Sequence, residues 1–600
     1  MGQILLKPYP LFVALASQNL LQKKANFQQR ANNMKPSLPQ DDPNQQQRSD
    51  YLNGQQKAYQ FDYDALSPLA LLKNVPAVET FSNKYLAERI LATSELPGNI
   101  LASDARAFLD PLDNLEDYED LFTILPLPKV AKIYQTDRSF AEQRLSGANP
   151  MVIRLLDAID PRAQTLTQLS SLQPSFDLQK ELQEKNIYIA DYTGTDEHYR
   201  APAKITGGTY EKGRKYLPKP RAFFAWRWTG IRDRGEMAPI AIQLDPKPGS
   251  HLYTPFDPPL DWLFAKLCVQ IADANHHEMS THLGRTHLVM EPIAIVTARQ
   301  LAKNHPLSLL LKPHFRFMLT NNKLALTRLI GPGGPVDLLL AGTLAETIEI
   351  GREACTTWSL DQFALPTELK NRGMDDTNQL PHYPYRDDGL LLWNAIEIFV
   401  SGYLKYFYPT NEAIVQDVEL QSWAQELSSE TGAKVKGMPQ KIDTVQQLIE
   451  IVTTVIFICG PQHSAVNYTQ HEYMSFAANM PLAAYRDIPR VTNSDIPEVM
   501  TEKDVLQLLP PYKRSADQLQ ILFILSAYRY DRLGYYDKSF CELYQMTFDE
   551  VFAGTPIDLL VRQFQQNLNM AEQKIDANNQ KRVIPYFAMK PSLAINSISV

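Results

Sequence analysis

The chain has 600 residues, of which 44% are hydrophobic and 10% aromatic, so it is long enough to build a large buried core. Its formal net charge of −8 is inconsistent with the concentrated basic surface of a general nucleic-acid-binding protein. The four cysteines lie far apart and form no CxxC pair, which is typical of reduced thiols in the cytoplasm. No continuous apolar stretch reaches the roughly 18–20 residues that span a bilayer.

Residues 1–60 differ in composition from the rest of the chain. They contain 12 Gln and 7 Lys or Arg against 3 Asp, a net charge of +4 that leaves −12 for residues 61–600. Residues 32–60 are polar and lack apolar periodicity, which favours a linker. Residues 11–21 have the pattern of a short amphipathic helix, so we expect either an arm packed on the body or a contact of residues 4–24 with a membrane surface. The apolar run 11–16 is too short for a typical secretory signal, and secretion is not expected.

Residues 61–600 are predicted to form one large, mainly α-helical domain with a small antiparallel β element. Apolar residues recur at i, i+3 and i+4 over three or more turns in segments 79–91, 261–279, 390–408, 444–460 and 516–532. Two shorter runs, at 186–194 and 238–244, are typical of strands. The glycine-rich piece 331–335 lacks the strand–loop–helix setting of a nucleotide site and is interpreted as a turn.

Histidines are concentrated in one segment, since 6 of the 11 lie between positions 276 and 314. Neutral imidazole is the commonest metal ligand in proteins, so this concentration predicts a metal site. His277, His282 and His287 follow at five-residue steps, which places successive rings about 140° apart on a regular α-helix. A π-turn would bring them to one side, and the spacing therefore predicts one. The spacing is also one residue too long for the HExxH motif of zinc proteases.

A second candidate lies in PQHSAVNYTQ, where His463 and Asn467 are four residues apart and share one face of a helix. The preceding run IVTTVIFICG is apolar on all sides, which predicts a buried helix. A buried histidine and amide need partners, so they form either a hydrogen-bonded structural pair or part of a metal site. The chain ends on the uncharged run INSISV, which indicates that Val600 is held in place and offers its carboxylate as a ligand.

Taken together, these blocks resemble the lipoxygenase family. The family signature His-x4-His-x4-His-x17-His-x8-His is matched at every spacing by His277, His282, His287, His305 and His314. FAEQRLSGANP, WLFAK, THLVMEP, LLLKPHFR, DGLLLWNAI, QHSAVNYTQ and NSISV also match, in the family's order. The resemblance covers roughly residues 60–600 and leaves no room for the family's N-terminal β-barrel (PLAT) domain. The chain is therefore similar to short bacterial or cyanobacterial lipoxygenases, with residues 1–60 as an extension and 61–600 as the catalytic domain.

The resemblance implies a single non-haem iron that cycles between Fe(II) and Fe(III). Its ligands would be His282, His287, His463, Asn467 and the carboxylate of Val600. The residues expected beside the ligands are His277, Glu278 and Gln470, and His305 and His314 are expected to be structural. Isoleucine is usual at the last position and valine also occurs in manganese-containing relatives, so iron is expected and manganese is the alternative.

The resemblance also implies a substrate channel lined by Ala325, Leu329, Val336 and Leu525, although Leu329, Val336 and Leu525, each taken alone, are more typical of ordinary core packing. Alanine at position 325 usually accompanies products of S chirality in the family. These positions define where a fatty acid would lie, and leave its identity and the oxygenated carbon open.

The implied activity is insertion of O2 into polyunsaturated fatty acids such as linoleate, linolenate or arachidonate. In the family, Fe(III)–OH takes a hydrogen atom from a bis-allylic carbon, and O2 traps the radical to give a hydroperoxide. One alternative is a hydroperoxide isomerase, forming epoxyalcohols or allene oxides at the same iron site. The other is a non-enzymatic lipid-binding protein with a structural metal. A cytoplasmic location is expected, with or without peripheral membrane contact.

Overall fold

A computed structural model describes residues 34–109, 112–173, 176–195, 200–202, 204–228, 235–247, 249–489 and 499–600 of the chain. The described residues are mainly helical with small antiparallel sheets, as the sequence predicts. The predicted helix over residues 11–21 and the predicted membrane contact of residues 4–24 lie outside these ranges.

The N-terminal helices precede and flank the largest sheet. They are α1 Gln45–Ala58, α2 Asn83–Ala92, α3 Leu96–Leu109, α4 Asp137–Ser146, α5 Leu169–Leu172 and α6 Leu178–Gln183. Helix α1 lies where composition favours a linker. Arg48 of α1 is buried and donates to Glu419 at 2.5 and 2.9 Å, and Met34 and Leu38 are buried nearby in sequence. Tertiary pairing therefore orders residues 34–60 against the body, and a polar helix held by such pairing has no apolar periodicity to reveal it.

Within the described residues, the strands form three antiparallel sheets. Two of these are ribbons, β1 Phe61–Asp62 with β2 Leu71–Leu72 and β5 Thr209–Tyr210 with β6 Gly213–Arg214. The third has the order β3-β4-β7-β8-β9, with strands β3 Arg154–Leu155, β4 Ile187–Asp191, β7 Arg221–Trp228, β8 Gly235–Gln243 and β9 Leu252–Tyr253. The runs predicted at 186–194 and 238–244 therefore overlap β4 and β8; β4 is buried throughout, and β8 is buried over most of its length.

Long buried helices occupy the centre of the molecule. The helices of the middle region are α7 Pro259–His276, α8 Val289–Gln300, α9 Pro306–Leu311, α10 Met318–Leu324, α11 Pro335–Leu339, α12 Leu344–Thr356, α13 Leu365–Asn371, α14 Pro384–Phe407, α15 Asn411–Gln416 and α16 Val418–Ser428. The later helices are α17 Val445–Phe457, α18 His463–Asn467, α19 Gln470–Met474, α20 Glu502–Leu508, α21 Tyr512–Ser526, α22 Asp537–Tyr544, α23 Phe548–Val551 and α24 Ile557–Asn579.

Each of the five segments with helical periodicity contributes to a helix, and one large hydrophobic cluster connects most of them. The continuous helical stretch Val445–Met474 is apolar and long enough to cross a membrane by composition. However, 94% of its most apolar window is buried inside the protein, as expected for a core helix. The helix predicted over 516–532 ends earlier, at Ser526, and Arg532 beyond it pairs with Ile595 in an isolated antiparallel bridge.

Candidate metal centre

The helix that carries the histidine repeat changes from α to π geometry at the repeat itself. Helix α7 ends at His276, the π segment spans His277–Leu288, and α8 continues from Val289. The wider π turn brings residues five positions apart onto one side, so the rings of His282 and His287 lie 4.7 Å apart. The π-turn predicted from the five-residue spacing is confirmed.

Two local features accommodate this geometry. Pro292, in the first turn of α8, has no N–H, so a regular α bond to the carbonyl of Leu288 cannot form there. Gly284 lies in close contact with α12, since a Cβ at this position would lie 2.9 Å from the Cβ of Ala354 and 3.0 Å from the carbonyl oxygen of Met279. A larger residue at 284 would therefore push the π segment and α12 apart.

A second π segment, Ile458–Gln462, follows α17 and leads into α18, which begins at His463. His282, His287 and His463 each offer a ring nitrogen within 4.8 Å of the others, and all three side chains are buried. The ring centroid of His463 lies 4.9 Å from that of His287 and 5.7 Å from that of His282. Two distant parts of the chain thus meet in one three-histidine cluster.

The protonation states of the cluster fit a cation. Burial lowers the pKa of His287 to about 3 and lowers the pKa values of His282 and His463 as well, so all three rings are neutral at physiological pH. Nε2 of His287 faces Nε2 of His282 at 3.1 Å, and neither ring nitrogen of His463 has a hydrogen-bond partner among the described residues. Buried polar atoms are rarely left unpartnered, and converging neutral imidazoles that lack partners are the donor set of a metal site.

Asn467 and Val600 lie next to this cluster. The Asn467 amide donates through Nδ2 to the carbonyl of Leu525 at 2.8 Å, while its Oδ1 accepts from Gln470 Nε2 at 3.1 Å. Val600 is buried and lines the same cavity as His282 and His287. Three of the five predicted ligands therefore form the histidine cluster. Asn467 lies one helical turn after His463, and Val600 lies in the wall of the adjoining cavity.

Residues 594–600, which we call the tail segment, are fixed by several elements. His314 donates through Nδ1 to the carbonyl of Asn596 at 2.8 Å, and the amide N–H of Ile595 donates to Ser464 Oγ at 3.2 Å. Gly460 is in close contact with the tail segment: a Cβ at this position would lie 2.6 Å from the carbonyl oxygen of Ile595. These contacts explain why the predicted structural histidine His314 belongs to the same sequence signature as the ligands: it holds the segment that ends in Val600.

The predicted neighbours of the ligands are in contact with them. Gln470 Nε2 lies 3.3 Å from His282 Nδ1 and donates to Asn467, so one amide links two predicted ligands. The His277 ring stacks on that of His282 at 5.5 Å, and its Nε2 is 2.9 Å from the carbonyl of Val466.

Glu278 places its carboxylate 3.5 Å from His277 Nδ1 and 3.8 Å from His282 Nδ1. Burial by itself raises the pKa of Glu278, but its contacts with these two histidines lower it to about 2, so the carboxylate is ionised. His305 is more remote and structural: its Nδ1 accepts from the Leu307 N–H and its Nε2 pairs with Asp417 at 2.9 Å.

Two residues beside the cluster were not identified from the sequence. Asn322 Oδ1 lies 3.1 Å from His287 Nδ1, and Asn322 Nδ2 donates to Glu291 at 2.8 Å. Burial raises the pKa of Glu291 to about 7. The sequence offers only the adjacent amides Asn321 and Asn322 as a signal, and nothing in it distinguishes the residue that reaches His287.

A cavity of about 250 Å³ adjoins the cluster. It contains all four predicted substrate positions, namely Ala325, Leu329, Val336 and Leu525, together with Glu278, His282, His287 and Val600. Most of the remaining lining is aliphatic, from Met279, Leu283, Leu324, Ile330, Leu339, Leu340, Leu482, Ile521, Leu522 and Ile524. The cationic side chains Arg89 and Arg328 also border it. A mostly apolar cavity with a few polar and cationic groups in its lining suits an amphipathic chain with an anionic head.

The fold and the site define a helical protein with a buried histidine cluster that adjoins an apolar cavity. The lipoxygenase family model matches residues 214–585, and the chain belongs to the lipoxygenase family. The chain is 32% identical over 494 residues to a linoleate 9/13-lipoxygenase of Pseudomonas aeruginosa, which covers 80% of this chain and 69% of that protein.

Two further comparisons are informative. A hydroperoxide isomerase, ALOXE3 of Mus musculus, is 32% identical over 472 residues, covering 77% of this chain and 62% of the relative. Among solved structures, an internally shortened lipoxygenase in complex with arachidonate superimposes with a TM-score of 0.81 at 27% identity, covering 94% of this chain and 83% of that one. The chain thus spans less than two thirds of the isomerase's own length.

Proposed function

We propose that this chain is a non-haem iron dioxygenase that inserts O2 into polyunsaturated fatty acids and forms hydroperoxides. One observation carries the proposal: three neutral, buried histidines converge beside an aliphatic cavity that two of them line, and His463 has both ring nitrogens without a partner among the described residues. A structural metal has no need of an adjoining apolar cavity, whereas a lipid oxygenase needs its metal and its substrate in the same space.

His282, His287 and His463 would hold the iron, together with Asn467 and the carboxylate of Val600. Nitrogen ligands with few charged oxygens suit iron among the abundant metals, while manganese favours oxygen-rich sites. When bound, iron supplies the one-electron chemistry that removes a hydrogen atom from a bis-allylic methylene. Glu278 and Gln470 then keep the His282 ring in place, because both contact its Nδ1 on the side away from the cluster.

The cavity residues orient the substrate and exclude water. Ala325, Leu329, Val336 and Leu525 present small or aliphatic surfaces to the same cavity as His282 and His287, so a pentadiene unit packed there would lie against apolar side chains. The carboxylate of a fatty acid has a counter-ion in Arg89 or Arg328, both of which border the cavity. One relative has linoleate in its name and a similar solved structure contains arachidonate, and both support this class of substrate.

A hydroperoxide isomerase is the second candidate, and the relative ALOXE3 is the observation that favours it. The same iron ligands and the same aliphatic cavity would serve both reactions. The two activities differ in what they consume, because the dioxygenase takes up O2 and a fatty acid, and the isomerase takes up a preformed hydroperoxide without net O2.

The test uses the purified chain with its metal content measured first. Oxygen uptake is then followed with linoleate and with arachidonate, in parallel with conjugated-diene absorbance. We expect about one iron per chain and O2 uptake that matches diene formation. Chiral analysis of the products would then give the oxygenated carbon and test whether Ala325 accompanies S products.

Each outcome is decisive. Consumption of added hydroperoxide with no O2 uptake would replace the dioxygenase with the isomerase. A chain that binds fatty acid but contains zinc, or no metal, would be a lipid-binding protein, and the iron proposal would fail.

A further inference from the structure

The ring of His287 is held from behind by a single side chain. Asn322, in α10, places its Oδ1 3.1 Å from His287 Nδ1, and its Nδ2 also lies 3.2 Å from the His287 carbonyl oxygen. A carbonyl oxygen only accepts, so this contact requires the ring proton on Nδ1. Nε2 of His287, which faces the cluster, then carries the lone pair that a cation needs.

Glu291 determines which way the Asn322 amide points. Its Oε2 accepts from Asn322 Nδ2 at 2.8 Å, and its Oε1 accepts from the backbone N–H of Leu72 in β2 at 2.7 Å. An ionised carboxylate only accepts, so the NH2 group of Asn322 must face Glu291 and its oxygen must face His287. The other orientation would place two acceptors against each other at Glu291.

The reversed amide would also place the ring proton on the wrong nitrogen. If Asn322 presented its NH2 group to His287, Nδ1 would have to accept and the proton would move to Nε2. Nε2 lies 3.1 Å from His282 Nε2, at the centre of the cluster. A proton there would exclude a cation, so the direction of one amide decides whether this ring can be a ligand.

We propose that Asn322 is a positioning residue that sets the tautomer and orientation of His287, and that Glu291 acts through Asn322 by fixing the direction of its amide. This role rests on the proposed iron site. A series of hydrogen bonds runs from the His287 ring through the side chains of Asn322 and Glu291. It ends at a backbone N–H in β2, a strand distant in sequence. The first strand ribbon of the domain is thereby connected to the metal centre.

The test exchanges the amide and the carboxylate. In Glu291→Gln, the new NH2 group faces either Asn322 Nδ2 or the Leu72 N–H, so the amide direction is lost. In Asn322→Asp, two carboxylates face each other. In the double variant, the aspartate at position 322 accepts from His287 and from the glutamine at position 291. That glutamine still accepts from Leu72 through its oxygen, so the hydrogen bonds from His287 through positions 322 and 291 to Leu72 are restored, while the donation from position 322 to the His287 carbonyl is lost.

Iron affinity is measured on the purified full-length chain by competition with an Fe(II) chelator at a pH above 8, where Glu291 is ionised. We expect each single variant to bind iron about 10- to 100-fold more weakly, the range found when a partner behind a metal ligand is lost. The double variant should recover most of that loss, and the Fe(III) EPR spectrum should follow the same pattern. Asn321→Ala is the matched control, since Asn321 borders the cavity and contacts no cluster histidine; it should bind iron as the wild type does.

The outcomes separate this inference from the proposed function. A wild-type chain that binds no iron overturns the proposed function and, with it, this role. A wild-type chain that binds iron while Glu291→Gln binds it equally well overturns the role of Glu291 and Asn322 alone. Additive losses in the double variant, without recovery, would show that the two residues act only through packing.

Discussion

The two π-bulged helices that supply the cluster are stabilised in different ways. On the first, His282 and His287 each have a hydrogen-bonding group behind the ring, Gln470 for one and Asn322 for the other. On the second, His463 has no such partner among the described residues. The first helix therefore orients its rings before any metal arrives, whereas the orientation of His463 depends on packing and on the cation itself.

This difference has an energetic consequence. A buried polar group without a partner costs about 1–3 kcal/mol, and His463 carries two such nitrogens. Metal binding removes that cost for the nitrogen that becomes a ligand. The free energy of metal binding is therefore coupled to the stability of the second helix. We therefore expect the second helix to respond most strongly to the metal.

Removing His463 should give the largest effect. His463→Ala deletes a ligand and loses no hydrogen bond, so we expect iron content at background, complete loss of oxygenase activity and little loss of stability in the metal-free protein. Deletion of Val600 should abolish activity in the same way. Metal analysis and O2 uptake measure both, and His471→Ala, a change at a partly buried histidine that packs on Phe523, is the control that should keep its iron. Full activity in either ligand variant would refute the assignment.

Gly460→Ala tests the close packing of the second helix against the tail segment. This packing matters because no hydrogen bond among the described residues orients the His463 ring. The new Cβ would lie 2.6 Å from the Ile595 carbonyl, so the tail segment must move. We expect a loss of about 1–3 kcal/mol in the free energy of unfolding, as for other overpacked sites, and a lower iron content.

Gly54→Ala is the matched control for Gly460→Ala. Gly54 lies in α1 with nothing within 4 Å of a new Cβ, so alanine there should stabilise by about 0.5–1 kcal/mol. Equal unfolding midpoints for the two variants would contradict the role of Gly460.

Gln470→Leu tests the first helix, where we expect a smaller effect. Leucine has a similar volume but can make neither the polar contact with His282 nor the hydrogen bond to Asn467. Iron should bind about 10-fold more weakly, with the apolar cavity and the fold intact. Chelator competition gives the affinity, and an unchanged value would mean that the link between the two helices has no influence on the metal.

The smallest expected effect is on the rate of backbone amide hydrogen exchange after iron is removed. Backbone amides of residues 458–467 should exchange several-fold faster in the metal-free protein, while those of residues 277–288 should change less, since hydrogen bonds behind their rings persist. Hydrogen–deuterium exchange with mass spectrometry measures both segments in one sample. Equal increases in exchange rate in the two segments would contradict the inference that the two helices are stabilised in different ways.

Much of the centre could be predicted because its chemistry is local. The five-residue spacing of histidines demanded a π-turn, and the structure contains it. Hydrophobic periodicity located the core helices, since burial of one face leaves a regular pattern in the sequence.

What could not be predicted depends on tertiary contacts. Asn322 and Glu291 are 31 residues apart and meet only because α8 and α10 pack beside the first strand ribbon. Likewise, α1 has no apolar stripe to reveal it, and its ion pair joins Arg48 to Glu419, 371 residues away.

Residues 277–314 also have a mechanical consequence. This single stretch contains two cluster histidines, the ring of His305 that pairs with Asp417 and the ring of His314 that binds the tail segment. Local unfolding of the stretch would break all of these contacts together, so metal release and detachment of the tail segment should occur as one cooperative event. The stretch that carries the five histidines is therefore expected to unfold as one unit, in addition to supplying two of the predicted metal ligands.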